Sequence, residues 1–149
     1  MNDPVLIAST RERCPASVAL HLEGVAFILR EVEDDEEYGR FLAENWQGEV
    51  IILEHDVVPW PGAIGGLRGC MHPWCVYRYP FGPGKLGWAL GCLRVNPELV
   101  AAHPDLPELW QGIAWNQLDA KVVSALTSVS VGDPHFHSPA LAHVKAELA

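Results

Sequence analysis

Apolar positions in the first third of the chain form short continuous runs separated by one helical stripe. "VLIAST" (5–10) reads as a first strand, and "VAFILREV" (25–32) as a second, followed directly by Glu33, Asp34 and Asp35. Between them, "RERCPASVALHLEG" carries a short helix opening near Pro15 and closing at Gly24. "DDEEYGRFLAENWQG" places Tyr38, Phe41, Leu42 and Trp46 near helical spacing, with acids in the first turn and Gly48 past the end. Val50 to Leu53 then form a third run with no polar interruption, as expected for a strand covered on both faces. The order β-α-β-α-β predicts a single α/β domain over 1–149, with a mostly parallel, Rossmann-like sheet flanked by helices.

Beyond Pro61 the pattern loosens. "GAIGGLRGC" is compatible with a short glycine-rich helix, "WCVYRYPF" (74–81) alternates as a strand, and "LGWALGCLRV" is either a strand pair or a bend. In "NPELVAAHP", Asn96 caps a helix, Pro97 takes its first position and Pro104 ends the segment. Residues 107–129 are helical without clear boundaries, and a tail punctuated by Pro134 and Pro139 follows.

The third strand ends in Glu54, His55 and Asp56. At the carboxyl edge of such a sheet the loops diverge and leave a crevice in which ligands bind. Two acids there are costly unless something positive neutralises them. Alternate residues of extended chain project to one side, so Glu54 with Asp56, and His135 with His137, each present a ligand pair. Carboxylates with imidazole suit a divalent cation, Mn2+ or Mg2+ first and also Zn2+, with selectivity left to geometry. The competing reading makes both clusters solvated loop residues.

Composition narrows the partners. A net charge of -9 argues against a nucleic-acid surface, which needs a basic face to displace counterions. No run of eighteen apolar residues and no basic-then-apolar leader is present, so the expectation is a cytoplasmic protein without a membrane span. Four cysteines in a chain of this size are compatible with a reducing compartment. Cys70 to Cys75 has the outline of half a zinc site, but Cys92 would have to return to complete it, and small core hydrophobes are the stronger reading. A cysteine nucleophile has no local signature here.

Glu54 to Asp56, the "PWC" of 73–75, the Leu90-Gly91-Cys92 run with Arg94, Trp115 with Leu118 and Asp119, and the histidine tail from 135 to 143 together resemble compact GT-A glycosyltransferases. The similarity extends to small bacterial and phage proteins described as glycosyltransferases, and spans nearly the whole chain. The resemblance implies a metal-dependent transfer of a sugar from a nucleotide-diphosphate donor to an acceptor hydroxyl. It makes Asp56 a metal ligand, Glu54 a ribose or metal contact, and His135 or His137 the completing ligand. Ser9, Thr10 and Arg11 would line the nucleoside, Asp34 or Asp35 would contact base or ribose, and Asp119 would be the catalytic base. Glu54 in place of the usual aspartate and the short chain keep two other readings in play: a non-catalytic nucleotide or nucleotide-sugar-binding module, and a metal-dependent hydrolase using the same site. Lys85 and Arg94 are candidate phosphate contacts, and Trp60, Trp74, Trp88 and Tyr79 candidate stacking surfaces.

Overall fold

The computed structural model describes residues 2–10, 14–130 and 132–144. Strand β1 (Val5–Ser9), helix α1 (Pro15–Leu22), strand β2 (Phe27–Glu31), helix α2 (Glu37–Glu44) and strand β3 (Val50–Leu53) follow the predicted alternation. β1 runs parallel to both β2 and β3. A short β4 (Val57–Val58) and helix α3 (Ala63–Arg68) lead into β5 (Trp74–Tyr77). The apolar stretch of 74–81 does not stay in one strand. It breaks at Arg78, and β6 (Tyr79–Pro80) pairs instead with β7 (Leu86–Gly87) in a two-stranded arm. That arm turns through Gly82 and Gly84, whose φ values of 86° and 68° suit glycine.

The arm explains the one reversed strand of the sheet. It turns the chain back, so β8 (Cys92–Val95) lies antiparallel beside β5, and antiparallel beside β3 on its other flank. Helix α4 (Pro97–Ala102) starts at Asn96, whose side chain accepts from the Leu99 N–H, as its sequence predicted. The stretch expected to be helical over 107–129 is two elements: a 3-10 turn at Leu106–Trp110, then helix α5 (Trp115–Ser130), separated near Gly112 at φ 73°. The tail adds β9 (His135–His137), parallel to β5, and β10 (Ala142–His143), antiparallel to β4. The six-stranded sheet is therefore ordered β2-β1-β3-β8-β5-β9 and mostly parallel, with helices on both faces.

Alternation along the strands divides the core in two. Leu6, Ala8, Val50, Ile52, Trp74, Val76, Leu93 and Val95 meet α2, α4 and α5 through Tyr38, Phe41, Leu99, Leu118 and Val122. Val5, Ile7, Ile51, Leu53, Cys75, Tyr77 and Cys92 meet α1 and α3 through Ala16, Leu20, Ile64 and Leu67. Cys92 is a core residue, and burial pushes its thiol up to about 12. Trp74 and Tyr79, offered above as stacking surfaces, are also buried.

Arg94 is not a free phosphate contact. Its Nε donates to Glu49 at 2.7 Å and its Nη1 to the Cys70 carbonyl, while Arg68 holds the other Glu49 oxygen at 3.1 Å. No helix among the described residues is long and apolar enough to cross a membrane.

Gly91 fixes the loop that follows β3. Its carbonyl accepts from the Glu54 N–H at 2.9 Å, and the Tyr79 ring covers it so closely that an added Cβ would lie 1.9 Å from Cε1. Gly91→Ala therefore forces a buried ring aside and should cost about 3 kcal/mol, the upper end of overpacking penalties. Urea denaturation checks this; an unchanged midpoint would show that the ring is free to give.

Candidate active site at the carboxyl edge of the sheet

The carboxyl ends of β1, β2 and β3 open onto a cleft of about 290 Å³ lined by Thr10, Val32, Glu33, Asp34, Asp35, His55 and Trp115. A crevice was expected at this edge, bordered by the cluster after β3; of Glu54, His55 and Asp56, His55 is the one that lines it. Ser9 ends β1 with its carbonyl accepting from the Val32 N–H at 2.9 Å, which ties the first two strand ends together. Arg11, predicted to share the nucleoside contact with Ser9 and Thr10, lies outside the described residues. A larger hollow of about 640 Å³ runs along α1, but its lining of Pro15, Val18, Ala19 and Leu22 offers little convergent polar chemistry.

Local hydrogen bonds shape the acidic loop between β2 and α2. Asp34 Oδ1 accepts from the Glu36 N–H at 3.0 Å, and the Glu37 carboxylate accepts from the Glu33 N–H at 3.0 Å. Arg40 reaches back from α2 to Asp34 at 3.0 Å, and this hydrogen bond holds the exposed carboxyl below its ordinary range. Asp34 is thus an oriented, ionised acceptor at the rim, beside Asp35.

Deeper in, the charges of three predicted acids, Glu54, Asp56 and Asp119, act on the same two tyrosines. Leu53 belongs to the α1–α3 side of the core, so Glu54 turns to the opposite face, toward α2 and α5. There the Tyr38 hydroxyl is pushed well above its ordinary range by burial first, and then by the charges of Glu54, Asp119, Tyr79 and Asp56. Tyr79 is raised by the same three carboxylates after burial. Asp119 stands one turn into α5 from Trp115, and burial raises its carboxyl above the ordinary value. The Trp115 ring packs edge-on to Tyr38 at 4.5 Å and to His55 at 6.4 Å, making it the aromatic wall of the cleft. In the sequence Trp115 stands out only as part of the motif with Leu118 and Asp119, and the fold gives it this surface.

The imidazole that reaches the acids is His143. β10 lies on β4, the Val144 N–H donates to the Asp56 carbonyl at 2.9 Å, and His143 Nε2 sits 3.1 Å from Asp56 Oδ2. His135 and His137, the residues expected to complete the metal site, are elsewhere. They occupy β9 on the outer flank of β5, so β8 and β5 stand between them and β3. Three strand spacings amount to about 14 Å. The reason is that the tail first adds a strand to the open sheet edge and turns inward only afterwards. A residue signal for His143 existed in the apolar neighbours of "LAHV", which suit a covered strand, but nothing in the sequence tied that strand to β4.

Of these residues, Asp56 offers a cation a buried oxygen, Oδ1, while His143 is engaged with its other oxygen through Nε2. Asp56 is 6% exposed and His143 also 6% exposed, and among the described residues Asp56 Oδ1 and His143 Nδ1 have no hydrogen-bond partner. A buried carboxylate oxygen without a partner requires an explanation, and a bound cation supplies one. The remaining positions would fall to water and ligand oxygens, since Mn2+ and Mg2+ rarely take all their ligands from protein.

No protein-family model and no curated protein matches the chain in sequence. Among solved structures it resembles a glycosyltransferase involved in the glycosylation of the major capsid of PBCV-1. The TM-score is 0.54 at 16% identity, over 91% of this chain and 81% of that one. What the chain shares with that protein is its α/β fold, a central sheet flanked by helices.

Proposed function

We propose that this chain is a metal-dependent GT-A-type glycosyltransferase, its 149 residues forming one nucleotide-sugar-binding domain. The observation that carries the reading is the buried Asp56–His143 pair, 3.1 Å apart, following His55 of a cleft at the carboxyl ends of β1 to β3, with the charges of Glu54 and Asp119 acting on the same tyrosine as that of Asp56. The fold shared with a glycosyltransferase supports it. Ser9, Thr10 and Arg11 would line the nucleoside, Asp34 or Asp35 would receive its base or ribose hydroxyls, and Trp115 offers a face for stacking. Asp56 would hold Mn2+ or Mg2+ through Oδ1, braced by His143 on its other oxygen, with Glu54 turned to the ribose or the same cation. When bound, the cation offsets negative charge on the diphosphate as the sugar departs. Asp119 takes the proton of the acceptor hydroxyl, and its raised pKa brings it closer to the range in which a carboxylate serves as a general base.

Thermal unfolding with a panel of nucleoside diphosphates tests this reading. Mn2+ and the matching nucleotide together should raise the melting temperature beyond the sum of either alone. At a hundredfold excess over Kd the gain is about 2.7 kcal/mol, or about 5–10 °C for a chain of this size. Nucleotide stabilisation that is indifferent to Mn2+ would favour the non-catalytic binding module. No stabilisation by any nucleoside diphosphate would remove the proposal.

A further inference from the structure

At the opposite flank of the sheet lies a second cluster of ligating side chains. Cys70 follows α3, Cys75 sits on β5 and His137 on β9, and one ligand atom from each lies within 4.8 Å of the others. The pairing Cys75↔His135 and Tyr77↔His137 turns Cys75, His135 and His137 to one face of the sheet. His137 Nε2 is buried without a hydrogen-bond partner among the described residues. The nearest acceptor for Cys75 Sγ among the protein carbonyls is Leu67 O at 4.0 Å, the outer limit for sulfur. His72 and His135 stack ring on ring at 4.2 Å next to this group, with His135 4.9 Å from His137.

We propose that Cys70, Cys75 and His137 bind one Zn2+ as a structural clamp, leaving a fourth position on the side of His135. Two thiolates and an imidazole are the borderline-soft donors that zinc prefers and that Mn2+ and Mg2+ do not, so this centre and the carboxylate site at the other flank select different ions. Binding releases the two thiol protons, and the resulting ZnS2 unit carries no net charge, which suits its half-buried position. The Arg94 guanidinium donates to the Cys70 carbonyl beside this group. Without metal, burial first and then Cys70 hold the Cys75 thiol well above its ordinary value.

The clamp has a mechanical purpose. β9 is three residues long and pairs with β5 on one side only. Its hydrogen bonds anchor the start of the tail that delivers His143 to Asp56, which further on is held by Leu141 N–H to the Arg78 carbonyl at 2.8 Å and by the pairing of β10 with β4. Zinc would fasten β9 to both the α3–β5 connection and β5 itself. The sequence half-site was Cys70 with Cys75, and the missing ligand is His137 from the tail in place of Cys92, which is buried in the core at 0% exposure.

Cobalt provides the test, and it is independent of any transferase activity. Metal-free, reduced protein titrated with Co2+ should bind one equivalent with thiolate-to-cobalt absorption in the near ultraviolet and strong visible bands, displaced by Zn2+. Cys70→Ser, at a half-buried position that tolerates it, and His137→Gln should each weaken this binding by more than about 100-fold, beyond what a change outside the ligand set costs. Asp56→Asn should leave it unchanged. Zn2+ should also raise the melting temperature of the reduced protein and not that of folded Cys70→Ser. Cobalt bound without sulfur bands, bands that survive Cys70→Ser, or a Cys70–Cys75 disulfide in freshly isolated protein that prevents zinc uptake would each overturn the assignment.

Discussion

Asp56→Asn should erase the Mn2+-dependent part of nucleotide stabilisation, about 2.7 kcal/mol at saturating ligand, without lowering the melting temperature of the metal-free protein. The two signs belong together. Asn keeps an oxygen to accept from His143 Nε2, now 3.1 Å from Asp56 Oδ2, so the junction of β10 with β4 survives. What disappears is the buried negative charge, which costs free energy when no cation faces it. A purely structural aspartate would give the reverse pattern, with a lower melting temperature and an intact Mn2+ response. Differential scanning calorimetry with and without Mn2+ separates the two cases. The equivalent change at His135 should leave the Mn2+ response untouched, because that ring lies with Cys75 at the far flank.

Asp119→Asn should lower kcat/KM by about 10²–10⁴-fold, the usual contribution of a general base, or about 3–5 kcal/mol in activation free energy. Nucleotide and Mn2+ binding should persist, because Asp119 is assigned to the acceptor proton. The same substitution has a signature in stability. Burial raises the Asp119 carboxyl above its unfolded value, so the folded state binds that proton more tightly than the unfolded state does. The stability this contributes is fully present below the unfolded pKa of about 3.9 and is lost as pH rises through the folded value. Asp119→Asn should therefore be more stable than the parent at neutral pH, with the advantage vanishing in acid. Wild-type turnover should fall on the acid side at a pH above the ordinary carboxylate range. Melting temperature and initial rate against pH, in donor-saturated assays, check both. Equal loss of binding in Asp56→Asn and Asp119→Asn would contradict the division of roles.

Sequence periodicity carried the first half of the molecule well. Runs such as Val50 to Leu53 are apolar on both faces, and only a covered, mostly parallel sheet accommodates them. The helix stripe through Tyr38, Phe41 and Leu42 is equally local, and all three side chains are buried as predicted. After residue 70 the local signal was outweighed by long-range pairing. "WCVYRYPF" alternates throughout, yet the chain leaves the sheet at Arg78 because the arm through Gly82 and Gly84 must turn back to make β8. No pattern within the segment encodes that choice.

By itself, the sequence determined that a hydrophobic strand ends in Glu54, His55 and Asp56, that Ser9 and Thr10 close the first strand, and that Asp34 and Asp35 follow the second. These follow from side-chain spacing along single elements and from the order of elements in the chain. Tertiary structure alone decided which histidine meets Asp56 and which cysteines meet a histidine. Imidazoles two or eight residues apart in a tail are chemically identical, and their partners depend on where short strands find an open edge. β9 found β5 and took His137 to Cys70 and Cys75, while β10 found β4 and took His143 to Asp56.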